Sequence, residues 1–277
     1  MKALNKILLI GITLLIGVSC EDFLEENSKL GKTEGTVYTT GDDLKNLVAV
    51  CYGYNRGIYG KETMVAMGEL GTDLWNNATD PRTSSAFNIY ENMGPEMEFP
   101  IDQVMEFYYM AINSCNLAMD YVTKSEGLLT DDEKIHLECE ARFMRSFYYW
   151  QVVETWGAMQ LNEIPIIDAS TSSRRDSEQD IYEFMFDDLQ YCIDNLPENE
   201  SPSSYVTWLA AKAFKARLAL YYASDYYRNV VGVDYKGIDY YAMALKEASE
   251  VINKGAGLGK KLYNNYADVW DIDISTT

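Results

Sequence analysis

Residues that could support catalysis are few in this sequence. His136 is the only histidine in 277 residues, and no HExxH, GxSxG, phosphate-loop or dinucleotide-binding motif occurs. Adjacent acids at Asp42-Asp43 and Asp131-Asp132 lie in predicted first helical turns, where carboxylates cap free amides. A third pair, Asp187-Asp188, lies in the middle of a predicted helix and is expected to face water, and His136 is expected at the surface. These patterns predict a protein that is not an enzyme.

Metal-ligating and disulfide-forming residues are equally sparse. The segment Asp271-Ile-Asp273 lacks the glycine and the distal glutamate of a calcium loop. The cysteines beyond the N-terminal leader lie among apolar residues of predicted helices and form no CxxC pair, which favours buried reduced thiols over a disulfide framework. They are Cys51, Cys115, Cys139 and Cys192. The sequence predicts neither a metal site nor a cofactor.

The residues best suited to binding lie in a long stretch without helical periodicity, residues 71–100, which is rich in Asn, Ser, Thr, Gly and Pro. Loops of this length are uncommon inside compact domains and are often functional. Aromatic rings can stack on the apolar faces of sugar rings, and nearby polar side chains can hydrogen-bond sugar hydroxyls. The candidate ligand-binding residues are Asp73, Trp75, Asn76, Arg82 and Tyr90.

Two alternatives to this loop site remain open. Trp75 and Tyr90 could instead anchor the loop to the helical body. A weaker second candidate site consists of the tyrosines in the connection at residues 225–238, namely Tyr226, Tyr227 and Tyr235.

The element that organises the rest of the chain is a helix predicted at residues 131–156. Its apolar residues recur at the three-and-four spacing of one helix face, with Phe143, Phe147 and Trp150 as a second apolar row. A capping box from Thr130 is expected to begin the helix, and Gly157 is expected to end it. Its polar strip contains Glu138, Arg142, Arg145 and Tyr149. A helix this apolar must be covered on several sides.

Further helices are predicted on both sides of this one. They cover a stretch from the Thr40 cap to about residue 57 or 60, then residues 62–70, 101–124, 177–196, 207–224 and 240–254. The last helix is expected to bury Ala242, Leu245, Ala248, Val251 and Ile252. Alanine-rich helices that face large aromatics are typical of tetratricopeptide-like repeats. The predicted fold class is all-α, an irregular right-handed stack of tetratricopeptide-like helix pairs with long loops.

The central stretch also carries a family resemblance. The segments EARFMRSFYYW, VVETWG and IPII resemble the signature helix of the SusD/RagB family of outer-membrane nutrient-binding lipoproteins. ELGTDLW, YYMAINSCNLAMD and AAKAFKARLALYYA are similar to three other segments of that family. The resemblance implies a SusD-like helical domain over residues 37–277. It covers residues 1–270 but only about half of a typical member, whose C-terminal half we expect to be absent.

The first twenty residues have the pattern of an export leader. Lys2 and Lys6 precede an apolar run at residues 7–18 that is too short to span a membrane comfortably. Gly-Val-Ser before Cys20 resembles a bacterial lipobox, so residues 1–19 are predicted to be a lipoprotein signal peptide and Cys20 the lipidated N-terminus. The alternative is an ordinary secretory signal. Residues 20–36 are predicted to form a tether, whose acidic start resembles a surface-export signal of glycan-feeding Gram-negative bacteria.

The charge excludes one class of ligand. The formal net charge is −20, and loss of Lys2 and Lys6 with the leader would make it −22. Phosphate contacts need clustered Lys and Arg, so nucleic-acid binding is not expected.

The family resemblance implies a function. It implies a lipid-anchored protein of the outer membrane, facing the cell exterior, that binds a nutrient, with an oligosaccharide as the expected ligand. The protein would deliver that ligand to a SusC-like TonB-dependent outer-membrane transporter. The alternative is a helical-repeat scaffold lipoprotein that binds only protein partners. A glycan-cleaving enzyme would need two carboxyl groups at a fixed separation across a cleft, which no motif marks.

Overall fold

Paired helices make up the described part of the chain. The structure is a computed structural model that describes residues 38–59, 67–75, 85–91, 93–94, 101, 103–168, 172–199, 205–260 and 262–270. Met1–Thr39 and Thr40–Thr277 form separate units, and the helices below belong to the second. The described residues contain no β-strand, only the isolated bridges Leu70–Trp75 and Met159–Asp176. The all-α fold class is confirmed.

The helices lie close to the predicted positions. They are α1 (Gly41–Gly53), α2 (Asn55–Tyr59), α3 (Ser85–Ile89), α4 (Gln103–Lys124), α5 (Asp131–Trp156), α6 (Glu178–Asn195), α7 (Trp208–Tyr222) and α8 (Tyr240–Gly257), with a π-helical turn at Tyr226–Val231 and a 3₁₀ turn at Tyr266–Trp270. The prediction missed α3, which interrupts the loop. Of the helix predicted at residues 62–70, residues 67–69 are helical and residues 62–66 lie outside the described residues.

Side-chain caps explain where several helices begin. Thr40, Thr130 and Ser177 each accept a hydrogen bond from the backbone N–H three residues later, and the acid at that position bonds back to the cap residue. These capping boxes satisfy backbone donors that the first helical turn leaves free. Thr207 and Asp239 cap α7 and α8 in a simpler way, through one side-chain acceptor each. Capping is local in sequence, which is why these starts were predictable.

The core is centred on α5, as predicted. Helix α5 packs against α4, α6 and α1, and α7 packs against α6 and α8. The main apolar row of α5 is buried: Leu137, Ala141, Met144, Tyr148 and Val152. The four cysteines of the helical body are buried free thiols, which confirms the predicted reduced state.

Part of the polar strip on α5 is buried, and the expectation that Asp188 faces water is wrong, because Asp188 forms a buried ion pair with this strip. Arg145 is 4% exposed and Tyr149 is fully buried, while Asp188 of α6 is 1% exposed instead of facing water. Arg145 Nη2 lies 2.8 Å from Asp188 Oδ1, and Arg145 Nε lies 2.8 Å from Oδ2. Arg142 contacts the same carboxylate at 2.7 Å and also forms an ion pair with Glu138, four residues earlier on α5. Polar residues on facing helices therefore satisfy each other inside the core.

The predicted apolar face of α8 is also wrong in part, since Ala242, Leu245 and Ile252 are exposed while Ala248 and Val251 are half-buried. Leu245 and Ile252 are 70% and 71% exposed, whereas α8 buries Ala244 and Glu247 against α7. Glu247 is buried because Lys212 of α7 lies 2.5 Å from its Oε2. The Lys212–Glu247 ion pair thus turns toward α7 a face of α8 that hydropathy alone would place in water.

Candidate functional site

Asp73 and Trp75 of the predicted loop site follow a turn at Gly71 whose backbone lies very close to Phe87 and Tyr90. Gly71 has a φ of +80°, and a Cβ there would lie 2.4 Å from the carbonyl oxygen of Phe87 and 2.8 Å from the hydroxyl oxygen of Tyr90. The Tyr90 hydroxyl donates a hydrogen bond to the Gly71 carbonyl oxygen. Only glycine fits this close approach without strain. The contact joins the segment that carries Asp73 and Trp75 to the end of α3.

Three of the five predicted binding residues are described, and all three are exposed. Trp75 is 51% exposed and Tyr90 is 69% exposed, and Asp73, two residues before Trp75, is also exposed. Trp75 forms an isolated bridge with Leu70, so its backbone is tied to the residues before the turn. Asn76 and Arg82 lie outside the described residues. The Tyr90 hydroxyl anchors the loop, while both aromatic rings retain surface that a ligand could contact.

The second predicted tyrosine site is used mainly for packing. Tyr227 is 1% exposed and its hydroxyl donates to Glu154 Oε1 at 2.9 Å. The Tyr235 hydroxyl donates to the carbonyl oxygen of Tyr222. Tyr226 remains 51% exposed. Tyr227 therefore fixes the π-helical turn to α5, and Tyr235 fixes the segment after that turn to the end of α7.

An aromatic groove between α1, α5 and α7 was not predicted. Its volume is about 470 Å³, and the residues that define it here are Tyr52, Phe143, Phe147, Tyr205, Phe214 and Arg217. The ring centres of Phe143 and Phe147 lie 5.4 and 5.9 Å, respectively, from the ring centre of Phe214. The sequence signal was the second apolar row of α5, but a helical period cannot distinguish a groove wall from a buried core face.

The groove also contains polar groups. The Arg217 guanidinium lies 4.5 Å from the centre of the Trp150 ring, a cation–π contact that orients it at the edge of the groove. Asn55 lines the groove, and its buried Oδ1 accepts no hydrogen bond from the described residues. The arrangement suits a ligand with apolar surface and at least one hydrogen-bond donor.

Two carboxyl groups near the C-terminal end of α5 and the start of α6, those of Glu154 and Glu178, have raised pKa values. Burial raises the pKa of Glu154, whose Oε1 accepts hydrogen bonds from the hydroxyls of Tyr182 and Tyr227. Burial, and then the charge of Glu154, raise the pKa of Glu178. The Glu154 carboxylate and the hydroxyls of Tyr182 and Tyr227 hold α5, α6 and the π-helical turn together. His136 is partly exposed near Glu140 and has no place in this cluster.

Within the described ranges, no group of three His, Cys, Asp or Glu side chains could hold a metal ion. In the part of the chain that the structure covers, no helix combines the length and the apolar composition that crossing a bilayer requires.

Comparisons with known proteins point to one family. The sequence model of a SusD-like family, described as "starch-binding associating with outer membrane", matches residues 22–220. A SusD-like protein of Bacteroides ovatus is 24% identical over 270 residues, which cover 96% of this chain and 47% of that protein.

Solved structures show the same fold. A structure with a xylogluco-oligosaccharide superposes with a TM-score of 0.66 at 23% identity, covering 82% of this chain and 43% of the other. A laminarin-binding SusD-like protein superposes with a TM-score of 0.66 at 17% identity, covering 84% and 48%. This chain spans less than half the length of each of these proteins. At such identities the structural likeness establishes the fold alone, but the sequence model covers most of the chain, and the protein is therefore a member of the SusD-like family.

Proposed function

We propose that the protein binds an oligosaccharide at the outer-membrane surface and delivers it to a SusC-like TonB-dependent transporter, without chemistry of its own. The observation that carries the proposal is the half-exposed Trp75 ring, two residues after Asp73 in a segment that the Tyr90–Gly71 hydrogen bond fixes, in a member of the SusD-like family. A large ring on a fixed backbone can stack on a sugar with little loss of conformational entropy. The xylogluco-oligosaccharide and laminarin ligands of two fold neighbours support the ligand class.

The loop residues have separate roles in this proposal. The Trp75 and Tyr90 rings contact the apolar face of a sugar, and the Asp73 carboxylate accepts hydrogen bonds from its hydroxyls. Asn76 and Arg82 supply further hydrogen bonds from the following part of the loop. Because stacking is tolerant of sugar identity, we expect these polar groups to set the preference among glycans.

The N-terminal segment supplies the location. Residues 1–19 are proposed to direct export, and Cys20 to carry lipid after cleavage. Residues 20–36 then tether the SusD-like helical domain to the membrane, facing the cell exterior. The family description, which associates these proteins with the outer membrane, supports this location. A transporter beside the anchored domain would receive the ligand over a short distance.

The aromatic groove favours a second candidate function. A shallow groove lined by aromatic side chains and one arginine has the composition of a protein-binding hot spot. The alternative is therefore a helical scaffold lipoprotein that binds only protein partners. This alternative predicts that no glycan binds and that substitution of Phe214 weakens partner capture.

The test is calorimetric titration with xyloglucan and laminarin oligosaccharides and a wider glycan panel. Trp75→Ala should weaken binding about tenfold, because one lost stacked ring removes about 1–2 kcal/mol. Trp270→Ala is the matched control, because Trp270 is also exposed, at 73%, but lies in the 3₁₀ turn outside the loop. Unchanged glycan affinity in a folded Trp75→Ala protein would remove the loop from the site. No binding to any glycan would favour the scaffold alternative.

A further inference from the structure

A second cavity lies between α6, α7 and α8, away in sequence from the loop. Its volume is about 340 Å³, within the range of roughly 300–1,000 Å³ typical of small-molecule sites. Lys215 of α7 and Asp187 and Gln190 of α6 line it, together with the ion pair between Glu183 and Lys236. The cavity therefore combines basic, acidic and amide side chains in one small space.

Lys215 is the unusual member of this set. It is 6% exposed, and its ammonium donates a hydrogen bond to the amide oxygen of Gln190. No carboxylate of the described residues forms an ion pair with it, whereas Lys212, one turn earlier, is paired with Glu247 and Glu250. Burial lowers the pKa of Lys215. A buried ammonium with three donors and one neutral acceptor can gain stability from a further acceptor in the cavity.

The acidic residues of the cavity limit which ligand could supply that acceptor. Glu183 is neutralised by Lys236, whose Nζ lies 2.7 and 2.9 Å from its two carboxylate oxygens. Asp187 lies on the exposed side of α6, and burial together with the neighbouring charges of Asp188 and Glu183 raises its pKa. An anionic ligand beside Lys215 would be repelled by Asp187, and a cationic ligand would be repelled by Lys215. Hydroxyl groups, which both donate and accept, satisfy both residues.

The remaining wall of the cavity is apolar. Phe186 and Tyr240 stack on each other with ring centres 5.2 Å apart, and Ile238 and Met243 extend the same surface. A wall of this kind suits the C–H faces of a pyranose or furanose ring, as aromatic and aliphatic side chains do in ligand pockets generally. A polar floor opposite an apolar wall matches a ligand with hydroxyls at its rim and C–H groups on its face.

We propose that the cavity between α6, α7 and α8 binds a neutral saccharide, with Lys215 donating a hydrogen bond to one ligand hydroxyl and Asp187 accepting one from another. None of its lining residues belongs to the loop at residues 71–100. The cavity proposal therefore stands whether or not the loop binds a glycan.

The test is methyl NMR of protein labelled at methionine, titrated with neutral, acidic and amino sugars. Met243 lines the cavity, and Met93 lies in the loop segment three residues after Tyr90, so the two signals report on the two sites separately. A neutral sugar should shift the Met243 signal saturably, and glucuronate and glucosamine should shift it less. Lys215→Met should weaken this response about tenfold or more, the usual effect of losing a hydrogen bond to a charged donor.

Two controls keep the result interpretable. Lys246→Met removes an exposed lysine of α8 that does not line the cavity, and it should leave the Met243 response unchanged. Trp75→Ala should alter only the Met93 response, so a failure of the loop site leaves the cavity result standing. Lys215→Met should fold with a Tm no lower than that of the parent protein, because it replaces a buried amine by an apolar side chain of similar length.

Asp187→Asn provides a second variant if Lys215→Met does not fold. Loss of the Asp187 charge should weaken neutral-sugar binding and raise the relative affinity for glucuronate, because the repulsion of an anion at Lys215 is removed. The proposal is overturned if no sugar moves the Met243 signal of the parent protein. It is also overturned if glucuronate binds the parent protein as tightly as neutral sugars do.

Discussion

At the scale of single residues, the most consequential arrangement is the buried contact between Arg145 and Asp188. The Arg145 guanidinium donates two hydrogen bonds to Asp188 and one each to the Asn116 side chain and the Glu163 carbonyl oxygen. The contact joins α4, α5, α6 and the segment after α5. Charges out of water are tolerated when their hydrogen bonds are complete, and removing one partner leaves the other uncompensated.

Arg145→Met should therefore lower the free energy of unfolding by roughly 3–5 kcal/mol, since Asp188 would keep only Arg142 as an ionic partner. Urea denaturation measures the change. Arg174→Met is the control, because Arg174 pairs with Asp176 while its side chain is 83% exposed, and surface pairs contribute about 0–1 kcal/mol. A loss below about 1 kcal/mol for Arg145→Met would show that the buried pair does not determine stability.

Glu154 gives a prediction about pH. Burial raises its folded-state pKa above the usual value of 4.5, so the charged form is less favourable in the folded than in the unfolded protein. Its contribution to stability is therefore present below the unfolded pKa and is lost as pH rises through the folded pKa. Glu154→Gln keeps an acceptor for the hydroxyls of Tyr182 and Tyr227 and removes this loss.

We expect the unfolding free energy of Glu154→Gln to increase relative to that of the parent protein as the pH rises from about 4 to about 7. This window lies around and above the ordinary carboxyl pKa. The comparison with the parent matters because other carboxyls act in the opposite direction. The Lys45 ammonium and the Thr130 cap lower the pKa of Glu133 to about 2, so its contribution is lost as pH falls. A pH-independent difference would contradict the role assigned to Glu154.

At the scale of elements, α5 has two different apolar faces. One face is fully buried and includes Tyr148, while the other, with Phe143 and Phe147, forms a wall of the aromatic groove and is half-buried. From sequence alone both rows are expected to be core. The difference arises because α7 covers the second row only along the edge that Phe214 contacts.

Phe147→Ala should consequently cost less than the roughly 3–5 kcal/mol typical of a buried phenyl ring, and we expect about 2 kcal/mol. Leu189→Ala on α6 provides the comparison, because Leu189 is fully buried and its truncation should cost about 2–5 kcal/mol. Both values come from denaturant titration. A Phe147→Ala loss equal to or above that of Leu189→Ala would mean that the groove is closed in solution.

At the scale of the whole molecule, the acidic net charge limits which surfaces the protein can bind without a covalent anchor. A net charge of −20 disfavours binding to anionic polymers and anionic lipid surfaces alike. Attachment to a membrane would then depend on a covalent lipid, whose acyl chains contribute about 0.8 kcal/mol for each buried CH₂ group.

Cys20→Ala should move the protein from the membrane fraction to the soluble fraction of cells that express the full chain. Mass spectrometry of the parent protein should find a lipid-modified N-terminal Cys20. The Cys51→Ala protein, which loses a buried thiol of α1, controls for cysteine loss in general and should stay with the membrane. An unmodified N-terminus at another residue would contradict the lipoprotein proposal.

The sequence by itself determined the features that depend on neighbours along the chain. The capping boxes at Thr40, Thr130 and Ser177 and the apolar period of α5 predicted where these helices lie, because caps and periods involve residues within one or two turns. The motifs around residues 140–167 were specific enough to indicate the family that the sequence model then showed. The polar composition of the loop at residues 71–100 was compatible with an exposed Trp75, but it did not by itself predict that exposure.

The tertiary structure alone decided which polar residues are buried and which apolar residues are exposed. Asp188 and Glu247 are buried because Arg145 and Lys212 reach them from other helices, and no periodicity within one helix encodes a partner on another. The same limit applies to the two concave surfaces that the sequence did not reveal. The aromatic groove and the cavity at Lys215 are each built from separate helices, so they exist only once those helices pack.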